Sequence, residues 1–159
     1  MPKYRNLTSE ELKDLEKEFI EFLVINGITA DQWELLKKED KEKAELVLEQ
    51  FSDVVWEGVL RKTQFIEHRS PQEVRAFQCL PGKMILMGLK IEDDSINLRT
   101  QEGFEKVKSK APSTSVYSTE KIYHKKREEE IFGLIQSGSV ISDGKLFKSI
   151  ALILADTKV

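Results

Sequence analysis

The sequence predicts an α+β fold with N-terminal helices that include one long central helix, a small antiparallel β-meander, and C-terminal helices. Residues 8–69 repeat apolar side chains at helical spacing, residues 72–120 hold short β-rich runs between turn residues, and residues 120–156 return to helical spacing. Because helical and β-rich segments are segregated along the chain, they predict α+β and not an alternating α/β fold. A length of 159 residues fits a single domain, residues 1–159.

Two helix starts near the N-terminus carry capping boxes. Thr8 is followed three residues later by Glu11, and Thr29 by Gln32, so the members of each pair can satisfy free backbone N–H groups reciprocally. Gly27 lies where a glycine in the left-handed conformation would end a helix. The sequence therefore predicts one helix between Thr8 and Gly27, followed by a short helix that opens at Thr29.

The segment 40–70 predicts a single long helix with apolar residues on two opposite sides. Its main stripe follows the helical period and comprises Ala44, Val47, Leu48, Phe51, Val54, Val55, Val59, Phe65 and Ile66. Leu46, Trp56 and Leu60 project from the far side, where burying a side chain of this size is worth roughly 1.5–3 kcal/mol. Either other parts of the chain or a partner must cover them, and a tryptophan flanked by leucine suits an interface anchor.

Turn residues divide the middle of the chain into short elements. Pro81-Gly82 is typical of a type II turn with glycine at positive φ, and Asp93-Asp94 predicts a further turn. The elements predicted around these turns are strands over 74–80, 84–91, 95–98 and 116–117, and a helix over 101–110. Farther on, the pattern predicts a helix over 120–137, ended by Gly138, and a last helix capped by Asp143.

Charge is distributed unevenly along this acidic chain, whose formal net charge is −3. Residues 1–67 carry 10 Lys or Arg and 16 Asp or Glu, whereas residues 68–159 carry 15 and 12. A net acidic protein is a poor general nucleic-acid binder, because lysine and arginine supply most of the affinity for phosphates. A local basic segment over 106–127 is either a solvated face or a binding surface for a phosphate-bearing ligand or an acidic partner. Its candidate binding residues are Lys106, Lys108, Lys110, Lys121, Lys125, Lys126 and Arg127.

Residues suited to metal or nucleophilic chemistry are few. His68, Cys79 and His124 show no paired metal-ligand spacing, so no structural metal and no cofactor are expected. His68 is interpreted as a helix-terminal residue near exposed carbonyl groups. The single cysteine excludes an intramolecular disulfide and indicates a reducing compartment, and the N-terminus lacks the apolar segment of a secretory signal. These observations predict a cytoplasmic protein that does not enter a membrane.

Three segments together resemble a known group of proteins: GITADQWELL at 27–36, FSDVVWEGVL at 51–60 and EHRSP at 67–71. The chain resembles a small bacterial family of functionally uncharacterised single-domain proteins of about this length. The resemblance implies a one-domain cytoplasmic protein and assigns no role to any residue.

Three functional hypotheses follow. The leading one is a non-enzymatic interaction or adaptor module, including a homodimer, that uses Leu46, Trp56 and Leu60 on the long helix. The second is an anion-binding or regulatory protein that uses the basic segment. The third is a small enzyme of unknown reaction. Self-association has another route, because an exposed edge of the small sheet could pair with a second copy.

Overall fold

The computed structural model of the protein describes residues 3–109 and 114–157. Its helices are α1 (Ser9–Asp14), α2 (Glu16–Ile25), α3 (Ala30–Glu39), α4 (Lys41–Lys62), α5 (Gln101–Ser109), α6 (Arg127–Gln136) and α7 (Lys145–Thr157). Its strands are β1 (Phe65–Arg69), β2 (Glu73–Cys79), β3 (Lys83–Ile91), β4 (Thr114–Ile122) and β5 (Val140–Ser142). The predicted α+β class is confirmed. The chain divides into two compact units, Met1–Arg61 and Lys62–Val159, and the single domain expected from the sequence stays a prediction.

Local capping chemistry sets the helix boundaries of the first unit. Both predicted capping boxes form, at the starts of α1 and α3. Gly27 adopts φ 73°, and the backbone N–H groups of Gly27 and Ile28 donate to the carbonyls of Val24 and Leu23, which ends α2 in a Schellman motif. The single helix expected before Gly27 is instead two helices, because the backbone leaves the helical conformation at Leu15 (φ −107°, ψ 23°).

Aromatic side chains hold the helices of the first unit together. The ring centroid of Phe19 lies 5.1 Å from that of Trp33 and 5.0 Å from that of Phe51. Ala44 and Val47 of α4 are buried in the same region. The first half of the predicted main stripe of α4 therefore faces the core, whereas Val54 and Val59, farther along the same stripe, are 57% and 39% exposed.

The long helix is shorter than the predicted range 40–70, because its last part is strand β1. Phe65 and Ile66 fit the helical stripe by spacing, yet in a strand they point to opposite faces of the sheet. Phe65 packs against Phe147 with ring centroids 5.6 Å apart, whereas Ile66 is fully buried and pairs with Phe77 of β2. Pairing with strands on both sides thus outweighs the helical spacing of this segment.

The five strands form one antiparallel sheet in the order β4-β3-β2-β1-β5. The predicted hairpin of β2 and β3 is confirmed, but Gly82 in its turn does not adopt a positive φ. Residues 95–98 are not a strand. Instead the Asp93 carboxylate accepts the backbone N–H of Ser95 at 2.9 Å and closes a turn.

In the C-terminal part, one predicted helix start is wrong. The predicted end of α6 and the predicted cap of α7 are confirmed. β4 extends through Ile122, so the helix expected from residue 120 begins only at Arg127. Gly138 ends α6 with φ 111°. The Asp143 carboxylate accepts the backbone N–H of Lys145, the first residue of α7, at 3.0 Å. β5, which follows Gly138, was not predicted.

Different elements pack on the two faces of the sheet. Residues of α5 and α7 pack on one face in a cluster that comprises Val74, Ala76, Leu89, Ile91, Leu98, Phe104, Val107, Leu146, Phe147 and Ile150. On the opposite face, Phe77 is paired with Leu86, and Leu86 with Thr119, so these three side chains stand side by side. We call this second surface the groove face. Within the described residues, no helix is both long and apolar enough to cross a bilayer.

Candidate binding groove

A groove of about 410 Å³ lies between the groove face and α6. Its apolar lining comes from Phe77, Met84 and Leu86 of the sheet and from Gly133 and Leu134 of α6. Its polar lining comprises Thr119, Lys121, Tyr123, Lys125, Glu129, Glu130 and Ser137. An apolar concavity of this size with a few polar groups is typical of a small-molecule site.

One ion pair closes part of the groove rim. Lys121 on β4 lies with its Nζ 2.7 Å from Oε1 of Glu130 on α6, and Oε2 of Glu130 accepts the backbone N–H of His124 at 3.0 Å. Burial favours the protonated form of Glu130, but the hydrogen bond and charge of Lys121, together with the His124 N–H, more than offset it and lower the pKa of this carboxyl. Glu130 is therefore ionised and already satisfied at neutral pH.

Two further charges in the groove have no such counterpart. Lys125 precedes α6 and Glu129 lies in its first turn, and both line the groove. Neither forms an ion pair with another residue of the described ranges 3–109 and 114–157. The groove thus presents one cation and one carboxylate that remain available to a ligand, next to an apolar lining.

Tyr123 and Arg127 support the groove from inside the fold. The Tyr123 hydroxyl donates to the carbonyl of Leu80 at 2.8 Å, and burial raises the pKa of this phenol to about 12. The Arg127 side chain is only 14% exposed, and its Nη2 donates to the carbonyl of Cys79 at 3.1 Å and to that of Thr63. Arg127, predicted as a binding residue, is instead a structural residue that ties β2 to the chain entering β1.

The basic segment over 106–127 does not form one surface. Lys106 lies on α5, which packs on the face opposite the groove, and pairs weakly with Glu102 at 3.9 Å. Lys126 is exposed at the start of α6 and does not line the groove. The side chain of Lys108 and all of Lys110 lie outside the described residues. Only Lys121 and Lys125 of the predicted set meet in the groove, because the turn between β4 and α6 brings them to one rim.

The far side of α4 is largely covered by the chain itself. Leu60 is 0% exposed and Trp56 is 9% exposed, whereas Leu46 is 51% exposed. Two of the three residues predicted as an interface are therefore buried. Leu46 alone of the three remains accessible, so of the two covers considered for Trp56 and Leu60 the chain itself is the one present.

The N-terminal segment, residues 3–7, supplies cover for this side of α4. The Asp53 carboxylate accepts the backbone N–H of Tyr4 at 3.0 Å. The guanidinium of Arg5 lies 4.7 Å from the centroid of the Trp56 ring. A short segment without regular secondary structure thus covers Trp56, and periodicity in the sequence could not have predicted it.

The histidines and the cysteine do not form a nucleophilic site. Cys79 is buried, and burial raises the pKa of its thiol to about 11, which is the opposite of what an activated thiolate needs. His68 lies within β1 and not at a helix end, and His124 is exposed in the turn before α6. No group of three metal-binding side chains comes together in the described part of the chain.

The chain matches a known protein family over nearly its whole length. The model of a family described as "Family of unknown function (DUF6495)" matches residues 1–155. The chain belongs to this family. Membership confirms the resemblance to an uncharacterised family and covers both compact units, but the family description assigns no activity. No curated protein and no solved structure matches the chain.

The apolar groove residues Phe77, Met84, Leu86 and Leu134 were not recognised from the sequence as site residues. Alternation along β2 and β3 predicted strands, and it could have shown that Phe77 shares a face with its hairpin partner. How closely α6 packs on the sheet depends on contacts between residues far apart in the chain, so no local pattern in the sequence marks the groove.

Proposed function

We propose that the protein is a non-enzymatic binding protein whose groove takes a small zwitterionic ligand with an apolar body, such as a short apolar peptide with free termini. The observation that supports this is Lys125 and Glu129, two opposite charges beside the apolar lining that form no ion pair with each other or with another described residue. A ligand carboxylate would meet Lys125, and a ligand ammonium group would meet Glu129. We also propose a cytoplasmic location, to which a single free cysteine is suited.

A ligand with only negative charge fits this site less well. Glu129 and Glu130 both line the groove, and Lys121 is occupied by Glu130. A simple anion would gain the attraction of Lys125 but would also be repelled by Glu129. The anion-binding hypothesis for the basic segment is therefore replaced by binding of a neutral zwitterion.

The test uses dileucine as the probe and isothermal titration calorimetry as the readout. Dileucine should bind, and its N-acetylated and C-amidated forms should each bind more weakly. Lys125→Gln should remove the preference for the free carboxylate, and Glu129→Gln the preference for the free amine. Lys126→Gln is the matched control, because Lys126 is exposed and does not line the groove.

A groove-filling variant checks the location. A Cβ added to Gly133 would meet no atom within 4 Å, so Gly133→Leu can place its side chain in the groove without strain in the helix. We expect this variant to fold and to lose dileucine binding. Absence of binding to the parent protein, or unchanged binding to Gly133→Leu, would refute the proposal.

A further inference from the structure

β4 is a long and open edge of the sheet. All nine residues, Thr114–Ile122, pair with β3 in one unbroken register, so the strand contains no bulge, and it contains no proline. Its outer side pairs with no other strand of residues 3–109 and 114–157. The opposite edge, β5, has only three residues. Proteins usually protect an edge of this length, because its free N–H and C=O groups can pair with another chain.

The two charged residues of β4 do not protect its edge in the usual way. Nζ of Lys83 on β3 lies 3.1 Å from Oε2 of Glu120, and Lys121 is paired with Glu130 on α6. Glu120 thus has its ion-pair partner on the neighbouring strand β3, and Lys121 has its partner on α6, across the groove. An approaching strand would meet charges that already form ion pairs.

We propose that β4 pairs with β4 of a second copy, antiparallel, with a two-fold axis at Thr119 perpendicular to the sheet. The strand is complementary to itself in this register. The opposed pairs are Thr119 with Thr119, Ser118 with Glu120, Tyr117 with Lys121, and Val116 with Ile122. No like charges meet, and Ile122, which is 74% exposed in the single chain, gains an apolar neighbour.

Neighbouring registers are less favourable. An axis at Ser118 would place Val116 opposite Glu120, which sets a carboxylate against an apolar side chain. An axis at Glu120 would place two carboxylates opposite each other. Of these three registers, the one centred on Thr119 is the most favourable.

The dimer would bring the two grooves together. A two-fold axis perpendicular to the sheet keeps both groove faces on the same side. Thr119 and Lys121 line the groove from β4, so the second copy would form the outer border of each groove. This inference does not depend on the identity of the ligand.

Solution mass provides the first test, with one variant at each sheet edge. The parent protein should show twice 18.4 kDa by light scattering, and Ile122→Lys should show 18.4 kDa with an unchanged far-ultraviolet circular dichroism spectrum. Val140→Lys is the matched control, since Val140 is a 57% exposed aliphatic residue on the opposite edge, β5. A parent of 18.4 kDa, or a dimer that Val140→Lys and not Ile122→Lys dissociates, would overturn the proposal.

Cross-linking tests the register. Thr119→Cys should form an intermolecular disulfide on mild oxidation, because the two side chains lie opposite each other at the axis. Ser115→Cys is the control, since Ser115 is exposed on the same face and strand but far from its own copy in this register. The native Cys79 is buried and stays silent. Equal cross-linking of both variants, or none in Thr119→Cys, would contradict this pairing.

Discussion

Truncation of Leu60 to alanine should destabilise the protein strongly. Leu60 is 0% exposed, so Leu60→Ala removes buried methyl groups and leaves a cavity, a change that costs about 2–5 kcal/mol. Leu46 lies on the same side of α4 but is 51% exposed, so Leu46→Ala should change the free energy of unfolding by no more than about 0.5 kcal/mol. The two substitutions are chemically identical and differ only in burial.

Urea unfolding followed by far-ultraviolet circular dichroism measures both effects. The difference between Leu60→Ala and the parent should not vary with protein concentration, because intramolecular packing does not depend on association. A Leu60→Ala variant within about 0.5 kcal/mol of the parent would refute the assignment of Leu60 to the core. If the loss of unfolding free energy in Leu60→Ala instead grew as the protein was diluted, the result would support the hypothesis that α4 forms an interface between copies.

Three further predictions concern single side chains. Arg127→Met should lower the free energy of unfolding by about 1.5–3 kcal/mol, because Arg127 donates to buried backbone carbonyls. The control Lys126→Met changes the neighbouring, exposed residue and should leave the free energy of unfolding, measured by urea unfolding, unchanged. A hydrogen bond from Arg5 is the main cause that lowers the pKa of Glu11 to about 2. The ionised carboxylate therefore stabilises the fold above the ordinary pKa near 4.5, and the melting-temperature difference between the parent and Glu11→Gln should disappear as the pH falls toward 2. Cys79, whose pKa burial raises to about 11, should react with a thiol reagent only after urea unfolds the protein, which a colorimetric thiol assay would follow.

Local chemistry made some boundaries predictable from the sequence. The capping boxes that begin α1 and α3 involve residues three positions apart, and Gly27 and Gly138 end helices because glycine adopts positive φ without steric cost. The hairpin of β2 and β3 likewise joins neighbouring segments. In each case the interacting groups are close in sequence, so their pattern alone specifies the structure.

Partners distant in sequence decided the remaining features. Phe65 and Ile66 repeat at helical spacing but form a strand, because β2 and β5 supply hydrogen bonds on both sides. Arg127 belongs to a run of basic residues by sequence, yet it points to carbonyls that lie 48 and 64 positions away.

Local sequence patterns specify the α+β class, the buried first half of the main apolar stripe of α4, and the helix ends at Gly27 and Gly138. Long-range packing, in contrast, places residues 3–7 over Trp56 and sets Lys125 and Glu129 beside an apolar groove. Helical and strand periods specify which side of an element is apolar. Which segment covers that side, and which charges remain unpaired, depends on the packing of residues far apart in the chain.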